Sequence, residues 1–153
     1  MRWHAAILAV GLFGAAPAHA GQVCAWLVES NKPDDVRDLA LWLQSDSDID
    51  FFLKIAGKGI VTESMTAHSP STATFVLHAG EADKPWGFGS SFEAPGTIDI
   101  IAELHVMPTD IFSDAPTPLL TAFTFHRDVP AGETTPSAVL ARRQCKTVQV
   151  PER

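Results

Sequence analysis

Two cysteines in 153 residues are too few for several chemistries. Cys24 and Cys145 make no C-x-x-C redox pair, and a thiolate metal site wants more ligands. Positive charge is also scarce, with 11 Lys and Arg against 18 Asp and Glu. Such a field argues against nucleic acid or anionic lipid surfaces as partners. Beyond the first twenty residues no apolar run approaches the ~18 residues of a membrane-spanning helix, so no membrane insertion is expected. There is no internal repeat and no low-complexity tract, which argues against a repeat array or a biased, structureless tail.

The N-terminal stretch has its own logic. Arg2 supplies a short positive region, Ala5 to Ala16 is apolar, and Ala18-His19-Ala20 has the A-x-A form of a cleavage site. This pattern predicts a secretory signal peptide over residues 1–20, removed after Ala20. The run is too short to span a bilayer and is broken by Pro17. A single exported domain is then expected over 21–153, in the periplasm. Without Arg2 its balance is ten basic against eighteen acidic residues, a formal charge of −8. In an oxidising compartment the lone cysteine pair is expected to form one disulfide, Cys24 to Cys145, tying the first strand to the last.

Much of the remaining chain alternates at a period of two, the mark of strands with one dry and one wet face. The clearest stretch is Thr97–Met107. Ile98, Ile100, Ala102, Leu104 and Val106 fall on one side, and Thr97, Asp99, Glu103 and His105 on the other. Ile49–Ala56 alternates similarly, with Phe51, Leu53 and Ile55 inward. Gly57-Lys58-Gly59 then suits a hairpin turn, and Ile60–His68 is a polar, Thr-rich strand of edge character. Thr72–Ala79, Leu119–Arg127 and Ser137–Val150 also alternate, and Val23–Val28 is apolar on both faces. Val36–Gln44 fits a helix by local propensity, but its neighbours are strands and an isolated short helix is marginal, so a strand is expected. Gly80–Gly96 and Pro108–Pro118 are expected to be loops. The sum is an all-β, immunoglobulin-like antiparallel sandwich of about seven or eight strands.

Chemistry is harder to find. His105-Val106-Met107 places an imidazole and a thioether on one strand face, a set suited to Cu(I); any strand H-x-M pair does so by parity, and Met65, His68, His78 and His126 show no ligand spacing. Copper binding through His105 and Met107 is therefore the secondary expectation, and a solvated strand histidine the first. Asp99 and Glu103 share a face but stand roughly 13 Å apart at the strand rise, too far for an acid–base pair. Gly87-Phe88-Gly89-Ser90-Ser91 fits neither a phosphate loop nor a nucleophile elbow. No enzyme and no cofactor are expected. Trp42, Phe52, Trp86 and Phe88 are candidate outward aromatics, although core or end packing consumes aromatics too. The basic cluster Arg142, Arg143 and Lys146 reads as a solvated strand face.

The order of features carries a resemblance. An early Cys lies in Val23-Cys24-Ala25, and an aromatic strand runs into Gly-x-Gly through Phe51-Phe52-Leu53-Lys54-Ile55-Ala56-Gly57-Lys58-Gly59. A long amphipathic strand, Ile98–Val106, and a late Cys in Arg143-Gln144-Cys145 complete it. This pattern resembles the curli-assembly family of periplasmic amyloid inhibitors, of the CsgH type. The resemblance implies an immunoglobulin-like sandwich without catalytic residues, acting as a chaperone that keeps a curli-type amyloid subunit soluble. The expected partner is thus a protein, met by a monomer through the polar edge and nearby aromatics: Ile60, Thr62, Ser64, Thr66, Trp86 and Phe88.

Overall fold

The computed structural model describes residues 18–32, 36–61, 66–67, 71–90, 96–108, 110, 115–130 and 142–151. They form strands β1 (Ala18–Lys32), β2 (Val36–Ser45), β3 (Ile49–Val61), β4 (Thr66–Ala67) and β5 (Ser71–Leu77). β6 (Ala82–Ser90), β7 (Gly96–Val106), β8 (Leu119–Val129) and β9 (Gln144–Pro151) follow. One sheet has the order β6-β2-β1-β9, and the other runs β3-β7-β8 with β4 and β5 both paired to β3. β3 pairs with β5 through Ile49–Ile55 and with β4 through Lys58 and Gly59, so the two short strands are laid end to end along one edge of β3. The named strand pairs are all antiparallel. The result is an immunoglobulin-like β-sandwich.

Period-two alternation decides which side chains fill the space between the sheets. Val23, Ala25, Leu27, Leu39, Leu41, Leu43, Val148 and Val150 come from one sheet. Ile49, Phe51, Leu53, Ile55, Leu77, Ile98, Ile100, Ala102, Leu104, Phe123, Phe125 and Val129 come from the other. β7 occupies the middle of its sheet, bonded to β3 from Phe51↔Val106 to Val61↔Gly96 and to β8 from Gly96↔Val129 to His105↔Leu119. Its dry face meets Phe51, Leu53, Ile55, Phe123 and Phe125 within its own sheet, as its alternation implied.

Val36–Ser45 is a strand throughout. Its intrinsic helix tendency yields to pairing on both sides, with β1 along its whole length and with β6 from Arg37 to Gln44. Three expectations need correction. Gly57-Lys58-Gly59 is not a hairpin turn: β3 continues through it to Val61, because β7 is long enough to pair with every residue, including Gly57↔Ile100 and Gly59↔Ile98. Ile60 therefore belongs to β3, which runs on to Val61, rather than opening a separate edge strand Ile60–His68; beyond β3 only Thr66–Ala67 of that span is a described strand. The span Gly80–Gly96 is not a loop either, since Ala82–Ser90 forms β6 against β2. Glycine and proline lower its strand propensity, but it lies at a sheet edge, and the register shifts there between Leu41↔Trp86 and Leu43↔Asp83. That shift sets Lys84 and Pro85 of β6 against the single Trp42 of β2, one extra residue on β6, and Pro is tolerated at such a place because no ladder bond is asked of it. The positive φ of 78° at Gly80 serves the preceding turn, where its N–H donates to Ser45 O at 2.7 Å.

Cys24 and Cys145 are register partners on the adjacent strands β1 and β9, with Cα atoms 4.0 Å apart, and they form a disulfide. The bridge lies within one sheet and closes a sequence separation of 121 residues. In the chain-entropy picture a loop of that length is worth about 4–5 kcal/mol. Cys24→Ala/Cys145→Ala is expected to lower unfolding free energy by roughly that amount, read as a lower urea midpoint at unchanged fold; a midpoint equal to that of the parent would show that the bridge adds nothing.

Candidate functional site

The two flanks of the sandwich differ. On one flank β8 and β9 lie against each other across the sheets. Gln144 Nε2 donates to Thr124 O at 2.8 Å, and Lys146 Nζ donates to Ala122 O at 2.5 Å. Side chains of β9 thus occupy backbone acceptors of β8 that a further strand would use. Lys146 also lies 5.3 Å from the Phe123 ring centroid, which holds the ammonium over the seam. On the other flank β5 and β6 also touch. Among the described strands, none pairs with the outer side of β5 or of β6.

Several residues expected to meet a protein partner fall on this second flank. Trp86 and Phe88 lie in β6, opposite Leu41 and Leu39. Thr66 lies in β4, opposite Gly59, on the same side of β3 as β5. Ile60 belongs to β3 and is paired with Thr97, while Thr62 and Ser64 lie outside the described residues. Trp86 is partly buried and packs against the core, so only part of its ring is available to a partner.

The outer face of the β7 sheet carries the titratable groups. His105 is only 7% exposed, which corrects the expectation of a solvated strand histidine. Thr117 and Glu103 enclose it, with Nδ1 2.8 Å from Thr117 O and Nε2 3.0 Å from Glu103 Oε2. Both contacts are to acceptors, so a protonated ring satisfies both and a neutral ring donates to one. A copper ion on His105 would have to displace one of them. Met107 lies beyond the end of β7, where with Val106, Pro108, Asp110 and Ala115–Pro118 it lines an open hollow of about 280 Å³. Among the described residues no cluster of three or more His, Cys, Asp or Glu is arranged to hold a metal.

One row further along, Asp99 and His126 are direct cross-strand partners. His126 Nδ1 lies 2.5 Å from Asp99 Oδ1, and Nε2 lies 3.6 Å from Asp128 Oδ1. The hydrogen bond to Asp99, followed by the charge of that carboxylate, raises the pKa of His126 above its ordinary value. The ring thus binds its proton between two carboxylates on an exposed face, where it affects surface charge.

The outer face of the other sheet holds aromatics. Trp26 and Trp42 are cross-strand partners whose rings stack at 6.3 Å and 11°. Arg143 lies 4.9 Å above the Trp26 ring and donates to Gln44 Oε1. The basic cluster therefore has distinct duties: Arg143 covers an indole, Lys146 seals a seam, and Arg142 is exposed.

One residue escaped the sequence reading. Glu29 is 0% exposed, and its carboxylate lies 3.9 Å from Arg127 across the sandwich. The signal was present: Val23, Ala25 and Leu27 point inward, and the next residue of that parity is Glu29. On β8 the series Phe123, Phe125, Arg127, Val129 likewise carries the guanidinium inward at the same end of the core.

No family model, curated protein or solved structure matches this chain.

Two outcomes follow from these groups. Titration of the His126 ring by NMR should give a value above the ordinary 6.5, and Asp99→Asn should bring it back down. Because the folded value is the raised one, the interaction stabilises the fold below the unfolded pKa and is lost as pH rises through the folded value. Arg127→Leu, which takes a cation from beside a wholly buried carboxylate, is expected to cost about 3–5 kcal/mol in urea unfolding at neutral pH, and a change under about 0.5 kcal/mol, the usual range for surface positions, would place Arg127 outside the stabilising core.

Proposed function

We propose that this is a non-catalytic, exported protein-binding domain that keeps an amyloid-forming subunit of the curli type from assembling prematurely. The observation that supports it is the unequal treatment of the two flanks. One flank has its edge carbonyls occupied by Gln144 and Lys146, while β4, β5 and β6 bring their edges to the other. Unpaired edge backbone is the element that recognises an extended chain, and growing amyloid is made of such chains.

Export with cleavage after Ala20 is part of the same proposal. Cleavage after Ala20 would remove Ala18, His19 and Ala20, which pair with Pro151, Val150 and Gln149. The ladder from Gly21↔Val148 to Ala25↔Gln144, including the disulfide pair, would remain. Gly21 also suits a crowded position, since a Cβ there would lie 3.0 Å from Val150 Cγ2 and 3.3 Å from Asp46 Oδ1. The acidic charge keeps the domain soluble, and it favours brief encounters over firm adhesion to other acidic surfaces.

The mature protein is expected to lengthen the lag of curli-type subunit fibre growth at substoichiometric ratio, followed by thioflavin fluorescence. Unchanged growth at equimolar protein would remove the proposal.

A further inference from the structure

We propose that β5 is the edge on which this protein accepts a strand from another chain, and that the partner is an uncharged extended segment with alternating apolar residues. This rests on the protein-binding reading above and narrows it to one strand and one partner chemistry.

Each of the other edges formed by the described strands carries a device against pairing. β8 has the carbonyls of Ala122 and Thr124 occupied by Lys146 and Gln144, and its register slips between Leu104 and His105 of β7. β9 carries Lys146, is covalently held to β1 and ends at Pro151. β6 carries Asp83 and Lys84, and its ladder is interrupted around Pro85. β4 has two residues. Charge, proline, irregular register and shortness are the devices that stop edges from pairing.

β5 has none of them. Its sequence is Ser-Thr-Ala-Thr-Phe-Val-Leu, with no charge, proline or glycine. It pairs with β3 without a register break from Ile49↔Leu77 to Ile55↔Ser71. Three of its residues are β-branched: Thr72, Thr74 and Val76. An unbroken, uncharged, β-branched edge is the form that invites strand addition. Past Leu77 the chain crosses to the other sheet, where Ala79 N–H donates to Asp48 Oδ1 at 2.8 Å and Gly80 N–H to Ser45 O. The accepting length is therefore β5 itself.

The faces of β5 specify the partner. On the core side Phe75 is only partly buried, its ring 5.7 Å from that of Phe51. An apolar side chain of an added strand would cover the remaining ring. On the outer side Thr72, Thr74 and Val76 are exposed, Val76 by 43%, beside Lys54, Phe52 and Asp50 of β3. Small polar or β-branched residues pair well there, and no charge on β5 asks for a counter-charge. The sheet has one accepting edge and one sealed edge, so a bound strand meets a boundary at β8 and growth cannot pass through the protein.

Hydrogen–deuterium exchange on the mature protein tests this with two probes: a curli-type subunit and a synthetic peptide of the sequence of Ser71–Leu77. Either probe is expected to slow exchange of β5 amides by about tenfold or more while β6, β8 and β9 are unchanged. Thr74→Lys/Val76→Lys alters only exposed side chains, so it should unfold at the parent urea midpoint yet lose that protection. Protection of β5 by the peptide, with no effect on subunit fibres, would keep the edge and discard the amyloid role. Delayed fibres with protection elsewhere, or an equally protected double variant, would overturn the edge and leave the amyloid role standing. No β5 protection by either probe also overturns it.

Discussion

The constraint on which the rest depends is the dry interface between the two sheets. Each strand commits alternate residues to it, so every register is tied to every other through one shared space. Slipping β7 by one residue would turn Ile98, Ile100, Ala102 and Leu104 to solvent and bring Asp99 and Glu103 inward. The same rule explains why Glu29 and Arg127 are tolerated: two charges brought inward by parity at one end meet each other across the gap. Buried pairs of this kind are weak sources of stability, but they penalise any arrangement that separates them.

Alternation made much of this legible in the residues. Ile49–Ala56, Leu119–Arg127 and above all Thr97–Met107 showed which side faces the core, and the placement of Cys24 and Cys145 foretold a link between first and last strands. Val36–Ser45 was legible only through its neighbours, because its own propensity favours a helix. What stayed hidden depended on partners distant in sequence. Gly57-Lys58-Gly59 looks like a turn until an eleven-residue β7 pairs alongside it, and Ala82–Ser90 looks like a loop until β2 offers it an edge. His105 looked wet because nothing local shows that Thr117 will fold back over it.

The position of the strand edges was only partly legible in the residues. A polar edge strand was expected at Ile60–His68, where threonine and serine collect. The open flank does include Thr66 and the aromatic strand holding Trp86 and Phe88. Yet the strand with the fewest safeguards is its neighbour Ser71–Leu77, which had looked like an ordinary sandwich strand. Edge character is set by what lies alongside, and that is a property of topology. The sealing of β8 by Gln144 and Lys146 was equally invisible, since those residues are about twenty positions from the carbonyls they hold.

The in-sheet bridge between β1 and β9 has a mechanical consequence. A pull applied to the chain on either side of the bridge passes from Cys24 to Cys145 through a covalent link, and the span between them, a sequence separation of 121, bears none of it. The strands outside the bridge can peel, but the core between the cysteines cannot be drawn out. In a reducing medium the same pull would instead load the hydrogen bonds of the β1–β9 ladder, which can open one pair at a time from its end. The redox state of this bridge therefore decides whether a pull on the chain reaches the folded core at all.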